Sequence, residues 1–131
     1  MLHILLVEDN AADVFVVREA IRTSSVEADV LIAYDGEQAM RFLTELNFRP
    51  DFIILDLNIP KFNGIQILER YRAQDGPPLV VFTSSLNPHD RERALELGAW
   101  DYITKPATLD EFIASVQSAL NRWMPSKAAQ A

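Results

Sequence analysis

The sequence predicts an α/β fold: a doubly wound, five-stranded parallel sheet in the order 2-1-3-4-5, flanked by five helices. Five short apolar runs alternate with five segments of helical periodicity, the pattern of successive strand–helix units. The runs are apolar throughout, as is typical of parallel strands that are buried on both faces. Right-handed crossovers between such strands then restrict the topology to a sheet covered by helices on both sides.

The order of strands and helices follows from this alternation. The predicted strands cover residues 4–7, 30–33, 52–55, 79–82 and the surroundings of 102–103. The predicted helices cover residues 11–23, 36–46, 64–72, 87–97 and 109–123. Capping residues mark three of the helix starts, namely Asp35 with Gln38, Asn87 followed by Pro88, and Thr108 with Glu111.

Length and composition limit the domain organisation and the partners. The 131 residues suit one domain, expected at residues 1–124, with a short flexible C-terminal tail at residues 125–131. A formal net charge of −7 argues against nonspecific binding to nucleic acid and against docking on an anionic membrane. No apolar stretch approaches the roughly 20 residues of a membrane span. The absence of Cys is consistent with a reducing cytoplasm.

Polar residues follow four of the five predicted strands at their carboxyl ends. They are Glu8, Asp9 and Asn10 after the first strand, Asp56 and Asn58 after the third, Thr83, Ser84 and Ser85 after the fourth, and Thr104, Lys105 and Pro106 after the fifth. In a sheet of this order the first and third strands are neighbours at the topological switch point, where ligands bind. Glu8, Asp9 and Asp56 are therefore expected to crowd together.

Three crowded carboxylates repel one another unless one is protonated or a cation joins them. Oxygen ligands without His or Cys indicate Mg²⁺ or a similar hard ion, held by carboxylates, a backbone carbonyl and water. Lys105 would add a fixed positive charge, and Thr83 would add a hydroxyl. An acid, a metal ion, an ammonium and a hydroxyl around Asp56 form a site suited to phosphoryl transfer onto that carboxylate.

Four motifs, in their order and spacing, resemble the receiver domains of two-component response regulators. They are LLVEDN, IILDLNIPKFNG, VVFTSS and DYITKP, and the resemblance extends from residue 2 to about residue 123. The resemblance implies a flavodoxin-like receiver fold with Asp56 as the phosphoacceptor. It also implies the following roles: metal ligation by Glu8, Asp9, Asp56 and the backbone carbonyl of Asn58; phosphate binding by Thr83, Ser84 and Lys105; a switch pair of Thr83 and Tyr102; and a cis peptide before Pro106.

The same resemblance implies a signalling function in the cytoplasm. The protein is expected to accept a phosphoryl group from a histidine kinase or phosphotransfer protein in a Mg²⁺-dependent reaction. It would catalyse its own phosphorylation and dephosphorylation without being an enzyme. Phosphorylation would change the face of the fourth helix, fifth strand and fifth helix, which would contact a downstream protein target or a second copy in a homodimer. Only MPSKAAQA follows residue 123, so a stand-alone regulator is expected, similar to those partnered with phytochrome-type histidine kinases.

Four residues are candidates for partner docking: Asn10, Phe15, Pro106 and Trp100. On a helical wheel Phe15 falls opposite the apolar stripe of the first predicted helix, so we expect it to be exposed beside the acidic site. The alternative is that Phe15 folds back onto a loop. Trp100 is expected on the signalling face, and Trp123 in the core. Phe62 and Asn63 replace the residues that are more usual in the family before Gly64, and their role is left open.

Two other functions fit parts of the pattern. A Mg²⁺-dependent phosphatase that works through an aspartyl-phosphate also places an acid after a strand. Enzymes of the haloacid-dehalogenase type, however, need a second Asp two residues further on, where this chain has Asn58. A pseudo-receiver would bind partners without phosphorylation, but the presence of Asp9, Asp56 and Lys105 disfavours it.

Overall fold

A five-stranded parallel sheet forms the centre of the molecule. The computed structural model describes residues 2–45, 49–71 and 76–124, so the predicted helix ends at 46 and 72 and the predicted tail at 125–131 lie outside the described residues. The strands are β1 (Leu2–Val7), β2 (Ala28–Ala33), β3 (Phe52–Leu55), β4 (Leu79–Thr83) and β5 (Asp101–Thr104). They pair in the order β2-β1-β3-β4-β5, which confirms the predicted topology.

Helices follow each strand, and most begin at the predicted caps. They are α1 (Ala11–Arg22), α2 (Gly36–Met40), α3 (Gly64–Tyr71), α4 (Pro88–Glu96) and α5 (Leu109–Trp123). The side chains of Asp35, Asn87 and Thr108 each accept a hydrogen bond from a backbone N–H of the following turn. The second predicted helix is α-helical only to Met40 and continues as a π-helix over Arg41–Glu45. Among the described residues, no helix has the length and apolar character needed to cross a membrane.

Hydrophobic layers pack on both faces of the sheet. Successive residues of β1 alternate between them, so that Leu5 and Val7 pack with α2, α3 and α4, whereas Ile4 and Leu6 pack with α1 and α5. All residues of β3 and β4 are buried. This double coverage explains why β3 and β4 are apolar up to their carboxyl ends.

The helix faces differ in detail from the predicted stripes. On α1 the sequence predicts an apolar stripe of Val16, Val17, Ala20 and Ile21. Val16 is only half-buried, and Val14 is buried together with the other three. On α3 the sequence predicts Ile65, Leu68 and Tyr71 on one side. The buried residues are Gly64, Ile67 and Leu68, whereas Ile65 and Tyr71 are half-buried. A wheel drawn from one sequence gives the apolar side of a helix but not its rotation, because the rotation depends on the neighbouring elements against which the helix packs.

Candidate functional site

The register of the central strands brings three acidic residues together at the carboxyl end of the sheet. Val7 of β1 lies opposite Leu55 of β3, so Glu8 and Asp56 leave the sheet side by side. The Asp56 amide donates to the Val7 carbonyl at 3.0 Å, which continues the pairing beyond the last strand residue. Glu8 and Asp56 are buried, whereas Asp9 is exposed. One carboxylate oxygen from each of the three lies within 4.8 Å of the others.

The ammonium of Lys105 is the cation of this cluster. Its Nζ atom donates to Glu8 Oε1 at 2.6 Å, to Asp13 Oδ2 at 2.7 Å and to Asp56 Oδ2 at 2.9 Å. The Lys105 amide donates to the carbonyl of Thr83 at 2.8 Å, which attaches the residue to the end of β4. The side chain is only 8% exposed, so salt and water screen these ion pairs little.

Burial and charge shift the protonation of this cluster in a consistent way. Desolvation raises the pKa of Glu8 to about 7; the hydrogen bond from Lys105 lowers it, and the neighbouring charge of Asp56 raises it. Burial alone would lower the pKa of Lys105, but its hydrogen bonds to Asp13, Glu8 and Asp56 raise that pKa above its usual range. Lys105 is therefore a permanent cation. The raised pKa of Glu8 shows that the desolvation of this carboxylate outweighs the stabilisation that Lys105 gives to its charge.

The donor set fits a hard divalent cation. Glu8, Asp9 and Asp56 offer carboxylate oxygens, and the chain has no Cys that would favour a softer metal. The Asn58 amide donates to Asp56 Oδ1 at 3.2 Å, so the backbone turns tightly directly after the acid. Mg²⁺ is usually held by one or two carboxylates, with water and substrate oxygens completing its shell. Glu8, Asp9, Asp56 and the Asn58 carbonyl are the residues that would hold such an ion here.

Two hydroxyl residues predicted to bind phosphate lie at the end of β4. Thr83 is fully buried, and its Oγ1 atom accepts a hydrogen bond from the Ser85 amide at 3.3 Å. Ser84 is exposed and lines a cavity of about 400 Å³ together with Asp13, Lys105 and Pro106. Both residues therefore lie at the carboxyl end of the sheet, where the acids also lie.

The ring of Tyr102, the predicted switch partner of Thr83, lies inward. It is buried in the layer that packs with α2, α3 and α4. The Arg91 guanidinium carbon lies 5.8 Å from the ring centroid, and Arg91 donates to the Tyr102 carbonyl at 3.2 Å. The Tyr102 hydroxyl has no hydrogen-bond partner among the described residues. Burial raises the pKa of this phenol; the Ser85 hydroxyl opposes that shift without reaching hydrogen-bond geometry.

The peptide bond before Pro106 is trans, which corrects the cis peptide implied by the resemblance. None of the described peptide bonds is cis. A bond that precedes Pro favours trans by about 0.5–1 kcal/mol unless its surroundings select cis. With this trans bond the Lys105 ammonium still reaches its three carboxylate partners.

The docking candidates beside the site are placed by α1 and by the loop after β5. The Asn10 side chain caps α1, because its Oδ1 atom accepts from the amides of Ala12 at 2.9 Å and Asp13 at 3.1 Å. Phe15 is 64% exposed, which confirms its predicted exposure. Pro106 is half-buried. Asn10 and Phe15 thus lie along one helix that begins at the acidic cluster.

The two tryptophans form a pair at the far end of β5. Trp100 is 41% exposed and packs edge-on against Trp123, with ring centroids 5.7 Å apart and planes at 87°. Trp123 is half-buried rather than fully in the core, and its Nε1 atom donates to Asp101 Oδ2 at 3.1 Å. The indole N–H explains the difference, because a buried donor needs a polar partner and this one lies near the surface. The pair joins the start of β5 to the end of α5.

Phe62 and Asn63 shape the loop that leaves the site. The Phe62 amide donates to the Pro60 carbonyl at 2.8 Å across Lys61, whose φ of 69° lies in the left-handed region. The Gly36 amide donates to the same carbonyl at 3.2 Å, so the loop is attached to the start of α2. Asn63 caps α3: its Oδ1 atom accepts from the Gln66 amide at 3.0 Å, and Gln66 Oε1 accepts from the Asn63 amide at 2.9 Å.

Asp13 is the functional residue that the sequence interpretation missed. It lies in the first turn of α1, three residues after the cap Asn10. Side chains in a helix lean toward its N-terminus, so an acid at this position points back toward the end of β1. The spacing of Asp13 from the cap Asn10 could therefore have predicted its place in the site, once α1 was known to begin at Ala11.

Comparison with known proteins identifies the family. The model of the response regulator receiver domain matches residues 4–117. This chain belongs to that family. Response regulator Rcp1 of Synechocystis sp. is 36% identical over 129 residues, which cover 92% of this chain and 88% of Rcp1. Transcriptional regulatory protein PrrA of Mycobacterium tuberculosis is 37% identical over 121 residues, but this chain covers only 50% of its length.

Two solved structures of similar receivers extend the comparison. The Mn²⁺-bound form of Rcp1 matches with a TM-score of 0.87 and 36% identity, covering 96% of this chain and 100% of that chain. The phosphorylated cyanobacterial phytochrome response regulator RcpA matches with a TM-score of 0.83 and 35% identity, covering 95% of this chain and 98% of that chain. The acidic cluster of this receiver domain is thus a candidate site for a divalent metal ion.

Proposed function

We propose that this receiver domain accepts a phosphoryl group on Asp56, from a histidine kinase or phosphotransfer protein, in a Mg²⁺-dependent reaction. One observation carries the proposal: Asp56, at the end of a fully buried strand, lies 2.9 Å from the Lys105 ammonium and within 4.8 Å of the carboxylates of Glu8 and Asp9. A nucleophilic carboxylate, a fixed cation and acids able to hold a metal are the components that transfer to an aspartate requires.

The chemistry of this step follows from the residues around Asp56. One carboxylate oxygen attacks phosphorus, the bond from phosphorus to the donor's nitrogen or oxygen breaks, and an acyl phosphate forms. When bound, Mg²⁺ supplies positive charge to the transferring oxygens. Lys105 supplies a second positive charge in a site that is largely shielded from water, where such an interaction is strong. Thr83 and Ser84 are proposed to donate hydroxyl hydrogen bonds to the phosphoryl group.

The domain is proposed to act as a switch and not as an enzyme, promoting only the phosphorylation and hydrolysis of its own Asp56. The signalling face would consist of α4, β5 and α5 and would contact a downstream protein or a second copy. Support comes from the weak anchoring of α4, in which only Ala94 is buried and Leu95 is exposed. An element with few buried apolar contacts shifts at low cost. Cytoplasmic location is typical of the family and is part of the proposal.

The partner is proposed to be a phytochrome-type histidine kinase. The similarity to RcpA, a phytochrome response regulator that covers nearly the same length, supports this assignment. The surface offered to the kinase would include Asn10 and Pro106, which adjoin the acidic cluster, and Phe15, which lies further along α1. Phe15 is the apolar residue of this surface, and a large exposed aromatic side chain is a typical anchor at protein interfaces.

Mass spectrometry of the intact protein tests the phosphoryl-acceptor role. The wild type is incubated with acetyl phosphate and Mg²⁺, and we expect a mass increase of one phosphoryl group that is absent after chelation. Asp56→Asn should give no adduct. Asp29→Asn, which removes an exposed acid from the edge strand β2, is the matched control and should behave like the wild type.

Each alternative function predicts a different result. No adduct on the wild type under any condition would favour a pseudo-receiver. Continuous hydrolysis of varied phosphate esters would favour the phosphatase. An adduct that persists in Asp56→Asn would place the acceptor elsewhere and would overturn the assignment.

A further inference from the structure

Asp13 belongs to the acidic cluster, but the proposed function gives it no role. A lysine ammonium has three N–H donors, and here Glu8, Asp13 and Asp56 accept all three, at 2.6, 2.7 and 2.9 Å. A phosphoryl oxygen on Asp56 can therefore bond to the ammonium only if one of these carboxylates gives up its hydrogen bond. We propose that Asp13 competes with the phosphoryl group for the Lys105 ammonium and releases it when Asp56 is phosphorylated. This inference rests on the proposed function.

Burial determines which carboxylate gives way. The Glu8 side chain is 4% exposed, whereas the Asp13 side chain is 25% exposed. Removing the partner of a buried charge leaves that charge uncompensated, and this is strongly unfavourable. A partly exposed carboxylate can recover its hydration when its partner leaves. Glu8 also has a second hydrogen bond, from the Asn10 amide to its Oε2 atom at 3.2 Å, which holds it in place.

The position of Asp13 on α1 favours the same exchange. Asp13 lies in the first turn of the helix, where the aligned peptide dipoles create a positive potential. A carboxylate there remains stabilised by the helix after it has released the ammonium. Phosphorylation removes the charge of the Asp56 carboxylate and makes it a weaker acceptor, so a second N–H of the ammonium reaches the phosphoryl group only if Glu8 or Asp13 releases it. Of Glu8 and Asp13, Asp13 is therefore the acid whose release costs less.

The charge of Asp13 acts in opposite directions on the two ligands of the site. Its negative charge attracts a divalent cation and keeps part of the ammonium's hydrogen bonding away from Asp56. The same charge repels an incoming phosphoryl group and competes with it for Lys105. Removing the charge should therefore weaken metal binding and strengthen phosphoryl binding. A change that only damages the structure of the site would weaken both.

Equilibrium titrations with Mg²⁺ alone, and with beryllofluoride at saturating Mg²⁺, test this proposal. Beryllofluoride serves as the phosphoryl analogue, and its binding is followed by fluorine NMR. For Asp13→Asn we expect Mg²⁺ affinity about fivefold weaker and beryllofluoride affinity about fivefold tighter than in the wild type. Asp13→Glu keeps the charge and should return both values toward the wild type. Glu37→Gln, which removes an exposed acid from the first turn of α2, is the matched control.

The outcomes separate this inference from the proposed function. If beryllofluoride does not bind the wild type, or binds equally well to Asp56→Asn, the proposed function fails. If it binds the wild type through Asp56 but Asp13→Asn binds it equally or more weakly, only the role of Asp13 is overturned. Opposite shifts in the two affinities, reversed by Asp13→Glu and absent in Glu37→Gln, support the role.

Discussion

A methyl group added at Gly36 should disturb the loop that leaves the candidate site. A Cβ atom there would lie 1.6 Å from the carbonyl oxygen of Phe62 and 2.4 Å from its carbonyl carbon. Both atoms belong to the backbone, so either α2 or the loop must move. The hydrogen bond from the Gly36 amide to the Pro60 carbonyl, 3.2 Å long, would be strained or lost.

The cost can be worked from these contacts. Overpacking costs about 1–3 kcal/mol, and the lost hydrogen bond costs about 1 kcal/mol. The higher helix propensity of Ala recovers about 1 kcal/mol. Gly36→Ala should therefore lower the free energy of unfolding by about 1–3 kcal/mol, although propensity alone predicts a gain. Because the same loop carries Asn58, Mg²⁺ affinity should fall as well.

Urea denaturation followed by circular dichroism measures this change. With a slope of about 1–2 kcal/mol per molar urea for a small domain, the midpoint of Gly36→Ala should fall by about 0.5–3 M. Gly76→Ala is the control, because a Cβ there would meet only the end of the Tyr71 side chain, at 3.1 Å. Its midpoint should change little. A Gly36→Ala protein as stable as the wild type, or more stable, would refute the argument that this contact fixes the loop.

Three further predictions concern the acidic cluster, the tryptophan pair and the docking surface. Asp9→Asn should stabilise the metal-free protein by about 1 kcal/mol, because it removes repulsion from two carboxylates within 4.8 Å; lower stability in chelator would contradict this. Trp123→Phe should cost about 1 kcal/mol through loss of the hydrogen bond to Asp101, and thermal unfolding that shows a loss above about 3 kcal/mol would indicate a true core position. Phe15→Ser should change the free energy of unfolding by less than about 0.5 kcal/mol, because Phe15 is exposed. It should leave phosphorylation by acetyl phosphate intact but slow phosphorylation by a histidine kinase, and equal kinase rates for the variant and the wild type would remove Phe15 from the docking surface.

The sheet and the acidic cluster at its carboxyl end could be predicted because they depend on local patterns. Apolar strands such as Phe52–Leu55 end abruptly, and a doubly wound topology brings their carboxyl ends together. The proximity of Glu8, Asp9, Asp56 and Lys105 therefore followed from position along the chain, without knowledge of any side-chain conformation.

The remaining features depend on packing between distant elements, and sequence patterns do not contain that information. The inward position of Tyr102 is set by the layer under α4 and by Arg91, and no local motif specifies a rotamer. The pairing of Trp100 with Trp123 joins two segments that are separate in the sequence. Asp13 was missed for a different reason, because its residue type at a helix start is explained equally well by the helix dipole.

The excess of acid in the cluster explains why the site should bind a cation before it is phosphorylated. Four carboxylates, of Glu8, Asp9, Asp13 and Asp56, face the single ammonium of Lys105. A phosphoryl group brings about −1.5 to −2 further charges, so its addition to the metal-free cluster would increase a repulsion that is already uncompensated. A divalent cation first removes part of that repulsion and, since it binds only the folded cluster, also stabilises the domain. The release of Lys105 by Asp13 then frees a further N–H of the ammonium for the phosphoryl group when it arrives.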